Sequence, residues 1–264
     1  MAEENIADSA FQGLKFFLIT TLVYFIIKTT ATSEKSKTMW TIIYFLTVIV
    51  GQYFINLSLT NKQCGSNQYS TAMMVTIIPW GIIFGMINLV LTVFPGWLSP
   101  FSNTFGYLAT TFGGIDNFFR NLLVPEVSTE NPDYKLTSRV LMEIRAKPSL
   151  IINEINTSNF DTFWEKMTAK QSSYFTEDAK TPENMNKLKF FITMKDDISR
   201  AIWFILTGIL ITSVSFNYIV NSTCKKSIQE MKDSEIEVKQ TQAEEQQKVE
   251  GASAPIIYTS YEGN

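Results

Sequence analysis

Apolar residues fall in four long blocks along the chain, with polar stretches between them. A bilayer's hydrocarbon core is about 30 Å thick and a helix rises about 1.5 Å per residue, so a spanning helix needs roughly 20 apolar residues. Residues 11–27, 39–59, 72–94 and 201–221 meet that requirement or come close. The second and third blocks hold no charged residue. The first contains Lys15, one turn inside its start, from where the side chain snorkels to the headgroups. Lys28 follows the first block, Arg200 precedes the fourth, and Lys225 and Lys226 follow the fourth. The pattern predicts an all-α membrane protein with four transmembrane helices and a mainly helical extra-membranous domain between the third and fourth. It divides the chain into a three-span region (1–94), an aromatic interfacial segment (95–124), a helical soluble domain (125–200), the fourth span (201–221) and a charged, partly disordered tail (222–264).

Beyond the third span, Pro95-Gly96 is a turn signal and Trp97 an interfacial residue. The aromatic run that follows is too broken by Ser, Asn and Gly to span, which fits a segment along the headgroups or packed on the domain. Asp116 and Arg120 are spaced for a helical ion pair. Helical patterning continues over Lys135–Lys147 and Ser158–Gln171, where Phe160, Phe163, Trp164 and Met167 form one apolar stripe suited to a core. Thr181-Pro182-Glu183 is a helix start, and no breaker follows it before the fourth span. One helix of about 40 residues, roughly 60 Å long, is predicted to project from the bilayer. Adjacent helical residues diverge by about 100°, so Glu177–Asp178 and Asp196–Asp197 read as solvated charges rather than metal ligands.

Four spans place both termini on one side of the membrane and residues 95–200 on the other. The N-terminus is acidic and no small-residue cleavage pattern follows the first block, so that block reads as a retained anchor. Lys28, Lys35, Lys37, Lys180, Lys187, Lys189, Lys195 and Arg200 flank the membrane on the domain side, against Lys62, Lys225, Lys226, Lys232 and Lys239 on the other. The positive-inside rule then sets the domain in the cytosol at insertion. Cys64 and Cys224 lie just outside the bilayer at similar depth on the opposite, oxidising side, where a disulfide would persist. Two free thiols are the simpler reading, and a Cys64–Cys224 bridge is the alternative, since sequence does not give the distance between their Cα atoms.

The 264 residues include no His and only two Cys, which excludes His-dependent nucleophiles, His metal sites and four-Cys clusters. No catalytic, cofactor-binding or metal site can be assembled, so an enzyme is not expected. The net charge of −3 gives no basis for a nucleic-acid partner. Within the spans, Pro79 predicts a bend that frees a carbonyl, and Gly81 with Gly85 forms a small-xxx-small pair for close helix packing, which leaves a homo-oligomer open. Gln52 and Asn56 share a face of the second span and call for interhelical partners, with Asn88, Thr212 and Asn217 as candidates. Mid-membrane ionisable residues, the usual mark of a transport path, are missing. A structural protein is therefore favoured, and a small channel or transporter subunit with a polar path near Gln52, Asn56 and Asn88 is the alternative.

The wording IIPWGIIFG…FPGWLSPFSNTFGY (Ile77–Tyr107) resembles a conserved multi-pass membrane protein of nucleocytoplasmic large DNA viruses, giant algal viruses among them. The similarity covers the third span and the aromatic segment and carries no chemistry. It implies a protein of the virion inner membrane, made in host endomembrane during assembly. It further implies the lipid bilayer and other virion membrane or minor capsid proteins as partners.

Overall fold

The computed structural model describes residues 2–31, 33–124, 132–169 and 174–222, with Cys224, Ile236 and 238–241. Most of the charged tail lies outside the described residues. Those described are helical, with no strand and one isolated bridge between Leu123 and Phe175. In chain order come α1 (Ala2–Thr30), α2 (Glu34–Cys64) and α3 (Tyr69–Val93), then an arm of short helical turns over 95–112 that ends in α4 (Tyr107–Phe112). The domain adds α5 (Ile115–Leu122), α6 (Pro132–Ala146), α7 (Ser149–Ile152) and α8 (Phe160–Thr168), and α9 (Pro182–Asn221) closes the series.

Four of these helices, α1 from Phe11 together with α2, α3 and α9, are long and apolar enough to cross a membrane. The chain is an integral, multi-pass membrane protein. Two spans run well past their apolar blocks, and caps hold the ends that do so. Ser33 Oγ accepts the Ser36 N–H at the start of α2, and Gly65, left-handed at φ 67°, returns its N–H to Asn61 O at the end. Thr181 Oγ1 accepts the Asn184 N–H ahead of Pro182, and α9 then runs 40 residues without interruption. At the standard rise this is about 60 Å, twice the hydrocarbon thickness.

The bundle closes around aromatic rings. Phe17, Trp80, Phe84 and Phe204 are fully buried, and Phe17 sits 5.0 Å from Trp80 and Phe84 5.0 Å from Phe204. Adjacent Phe16 and Phe17 point to different neighbours, as a 100° step dictates. Phe16 fills a notch at Gly51 of α2 and Phe17 one at Gly208 of α9, where a Cβ would fall 2.2 Å and 2.1 Å from the respective rings. These glycines, rather than Gly81 and Gly85, bring the helices together. A Cβ on Gly81 would meet only its own helix's Ile77, and one on Gly85 would meet nothing within 4 Å.

A second core lies outside the bundle, built from Ile115, Phe119, Ile152, Phe160, Phe175, Leu188 and Ile192. The α8 stripe faces it: Phe160 and Met167 are buried, and Phe163 and Trp164 pack against it. The aromatic segment expected over 95–124 therefore divides, its first part running as the arm and its second, α5, belonging to the domain core. The expected Asp116–Arg120 pair gives way to a tertiary contact, because the Tyr107 hydroxyl donates to Asp116 Oδ1 at 2.7 Å. Burial, followed by the bond to Asp116, pushes the Tyr107 phenol above its ordinary pKa.

Candidate functional site

Where α9 leaves the domain for the bundle, it carries Lys195, Asp196, Asp197, Ser199 and Arg200. The first four are buried, so the reading of Asp196–Asp197 as solvated charges is corrected here; Glu177, by contrast, stays exposed beside Lys180. Consecutive helical residues point in different directions, and between them they reach several elements. Lys195 Nζ donates to the carbonyls of Ile152 and Ile155, both at 2.8 Å, and lies 3.4 Å from Asn103 Oδ1. Asp196 Oδ1 accepts from Ser102 Oγ of the arm at 2.9 Å, while its Oδ2 accepts from the Thr157 N–H and hydroxyl at 2.8 and 3.0 Å. Asp197 Oδ1 takes Lys28 Nζ from the end of α1 at 2.6 Å. Ser199 Oγ donates to Leu98 O at 2.6 Å, and the Arg200 guanidinium reaches Asn88 Oδ1 and Thr92 Oγ1 on α3, both at 3.4 Å.

The result is a polar collar in which one helix is tied to the arm, the domain, α1 and α3 within six residues. Gly106 allows the tightest contact, because a Cβ there would lie 2.4 Å from Lys195 O. A buried charge destabilises unless paired and hydrogen-bonded, and removing one member of such a set is far more disruptive than removing an exposed pair. Lys195 carries that penalty openly. Desolvation lowers its pKa to about 8 from 10.5, against the opposing pull of Asp196 and then Glu154. The collar can hold geometry. Among the described residues no group of three or more His, Cys, Asp or Glu is placed to hold a metal.

The polar residues singled out within the spans find different partners from those expected. Gln52 Nε2 donates to Gly13 O of α1 at 2.9 Å, and Asn56 Nδ2 donates to Thr76 Oγ1 of α3 at 2.9 Å. Thr212 borders the same space without bonding to either amide, Asn217 offers its carbonyl to Asn221, and Asn88 stands at the collar. Gly13, Gln52, Asn56, Thr212 and Ser215 line a cavity of about 10 Å³, room for one water. Pro79 is buried in a π-helical stretch, Ile77–Ile83. It has no N–H for the Val75 carbonyl four residues back, and Ser215 Oγ of α9 donates to that carbonyl at 3.0 Å.

Sequence patterning missed Ser102, Thr157, Lys195, Asp196, Asp197, Ser199 and Ser215. A signal for one of them was present. Carrying the inward stripe of the fourth span (Ile219, Ser215, Ile211, Gly208, Phe204) back two turns from Phe204 lands on Asp197. At the far end of the bundle, Cys64 and Cys224 are joined by a disulfide with Cα atoms 5.4 Å apart. Comparison with protein-family models, curated proteins and solved structures finds no match.

Proposed function

We propose that the chain is a structural protein of a viral inner membrane, a four-pass anchor that holds its helical domain at a fixed setting against a protein shell. The observation that carries this reading is α9 with its collar. A single helix passes from the domain core into the bilayer, and bonds at the crossing tie it to the arm, the domain, α1 and α3. Such an arrangement suits the transmission of position and load. The resemblance over Ile77–Tyr107 supplies the lineage, and it makes other virion membrane proteins or minor capsid proteins the partners of the domain. The reading is non-enzymatic, with no cofactor, and places the domain on the cytosolic side of host endomembrane during assembly.

A channel would need a polar path. The void beside Gln52 and Asn56 has room for one water, and Asn88 lies off it, held by Arg200. These features support the anchor over the pore. The test is to cross-link purified particles and then strip them with mild detergent. The protein is expected in the lipid-bearing fraction, linked through the domain's lysines to capsid-layer protein. Presence in infected-cell membranes but never in particles would overturn the proposal.

A further inference from the structure

The collar explains the inward face of the arm; the outward face has another character. Phe94, Trp97, Phe105, Leu108 and Phe112 are more than half exposed, Phe112 at 84%. With half-buried Phe101 they recur every three or four residues, the spacing of one helical face. In sequence this row follows the exposed row of α3, where Met86, Leu89 and Val93 are equally exposed, across the non-helical turn at Phe94. No Asp, Glu, Lys or Arg occurs between Lys62 and Asp116, so span and arm are uncharged throughout.

The arm does not lie flat on the membrane. It climbs α9 in the opposite chain direction, with Trp97 O accepting from Trp203 Nε1, Ser102 meeting Asp196, Gly106 abutting Lys195 and Gly113 abutting Phe191. From Trp203 to Phe191 is 12 residues of helix, a climb of roughly 18 Å. Over the middle of that climb the charges of α9 are turned inward, with Lys195, Asp196 and Asp197 all buried. About a quarter turn around α9 from the arm and at the same height, fixed by the Lys28–Asp197 contact, the turn between α1 and α2 exposes Glu34 and Lys35. One level of the protein is therefore charged on one side and aromatic on the other.

We propose that the arm is a lipid-contacting ridge and that the bilayer boundary crosses the molecule obliquely, higher along the arm than along the α1–α2 turn. The occupant is the acyl and glycerol region of the leaflet that already covers α3. Helices commonly tilt by up to about 40° from the membrane normal, which accommodates an offset of this size. The inference goes beyond the virion reading and does not depend on it.

Site-directed spin labelling tests it on the full chain. Phe105→Cys, Leu108→Cys and Phe112→Cys are labelled with a nitroxide and reconstituted in phosphatidylcholine vesicles. Met86→Cys serves as the lipid reference and Lys35→Cys as the aqueous one, with the wild-type chain as the labelling blank. Collision with oxygen should exceed collision with a polar nickel reagent at all three arm positions. The oxygen-to-nickel ratio should track Met86→Cys and stand several-fold above Lys35→Cys. Ratios that track Lys35→Cys would overturn the proposal, because the ridge would then stand in water. Shielding from both reagents with dipolar broadening would overturn it in favour of a second copy on the ridge.

Discussion

Gly106→Ala sets two effects of known size against each other. Gly106 has ordinary helical angles, φ −64° and ψ −48°, so alanine there gains up to about 1 kcal/mol of helix propensity. Against this, the new methyl would lie 2.4 Å from Lys195 O and 3.0 Å from Lys195 Cγ. Restoring ordinary contact at 3.4 Å requires the arm to withdraw by 1.0 Å (3.4 − 2.4) from a main-chain atom that cannot rotate aside. Ser102 lies one turn away on the same arm, and its 2.9 Å bond to Asp196 would stretch beyond hydrogen-bond reach. Overpacking costs about 1–3 kcal/mol, and a lost bond to a buried carboxylate about 1.5–3 kcal/mol. The net expectation is a loss of about 1.5–5 kcal/mol, a fall of roughly 3–20 °C in melting midpoint for a chain of this size. Thermal melting of detergent-purified protein reads it. Gly85→Ala is the matched control: it is helical and nothing lies within 4 Å of its added Cβ, so it should keep the propensity gain and melt at or slightly above the wild type. Gly106→Ala melting at or above the wild type would refute the reasoning, as would an equal fall in Gly85→Ala.

Ser215→Ala should destabilise by about 1 kcal/mol by stranding the Val75 carbonyl, and the loss should shrink in a Pro79→Ala background, where residue 79 regains an N–H; a double-mutant cycle with no coupling would sink the pairing. The pKa of Lys195, lowered to about 8 from 10.5, means its burial penalty is fully present below pH 8 and gone by pH 10.5. Wild-type stability should thus rise relative to Lys195→Met as pH climbs through that window, and a difference that stays flat would contradict the burial. Reducing the Cys64–Cys224 bridge opens a loop of 160 residues, worth at most about 5 kcal/mol and less where spans already restrict the chain. The melting midpoint should fall with reductant in the wild type and be indifferent to it in the Cys64→Ser, Cys224→Ser double variant; a wild-type midpoint unmoved by reductant argues against a closed bridge.

What the sequence disclosed was whatever depends on length and local pattern. Four apolar blocks of spanning length give four spanning helices, and Thr181-Pro182-Glu183 marks the first turn of α9 because capping chemistry is local. Depth along the chain also served for Cys64 and Cys224, since equal depth needs only topology and the helical rise. The register between helices is not written in any i, i+4 relation. Gly81–Gly85 has the right spacing and faces away from every other helix, whereas Gly51 and Gly208, with no spacing signature, receive the rings of Phe16 and Phe17. Asp196 and Asp197 read as solvated because their partners, Ser102, Thr157 and Lys28, stand 94, 39 and 169 residues away. The amides at Gln52 and Asn56 announced a need for partners without saying that a glycine carbonyl and a threonine would answer it.

The unbroken course of α9 through the membrane boundary makes the domain's rotational setting a matter of arithmetic. Each helical residue turns the chain by 100° and advances it about 1.5 Å, and no hinge between Pro182 and Asn221 absorbs a change. One residue inserted beside Ile198 would leave the lower span seated on Phe17 and Tyr44 yet swing everything upstream by over a quarter turn, pointing Lys195 and Asp196 away from their partners. Seven inserted residues, about two turns, would restore the phase but lift the domain by about 10 Å, which parts Asp197 from Lys28. The helix behaves as a keyed shaft: the angle at which the domain faces its surroundings is cut into the count of residues along it.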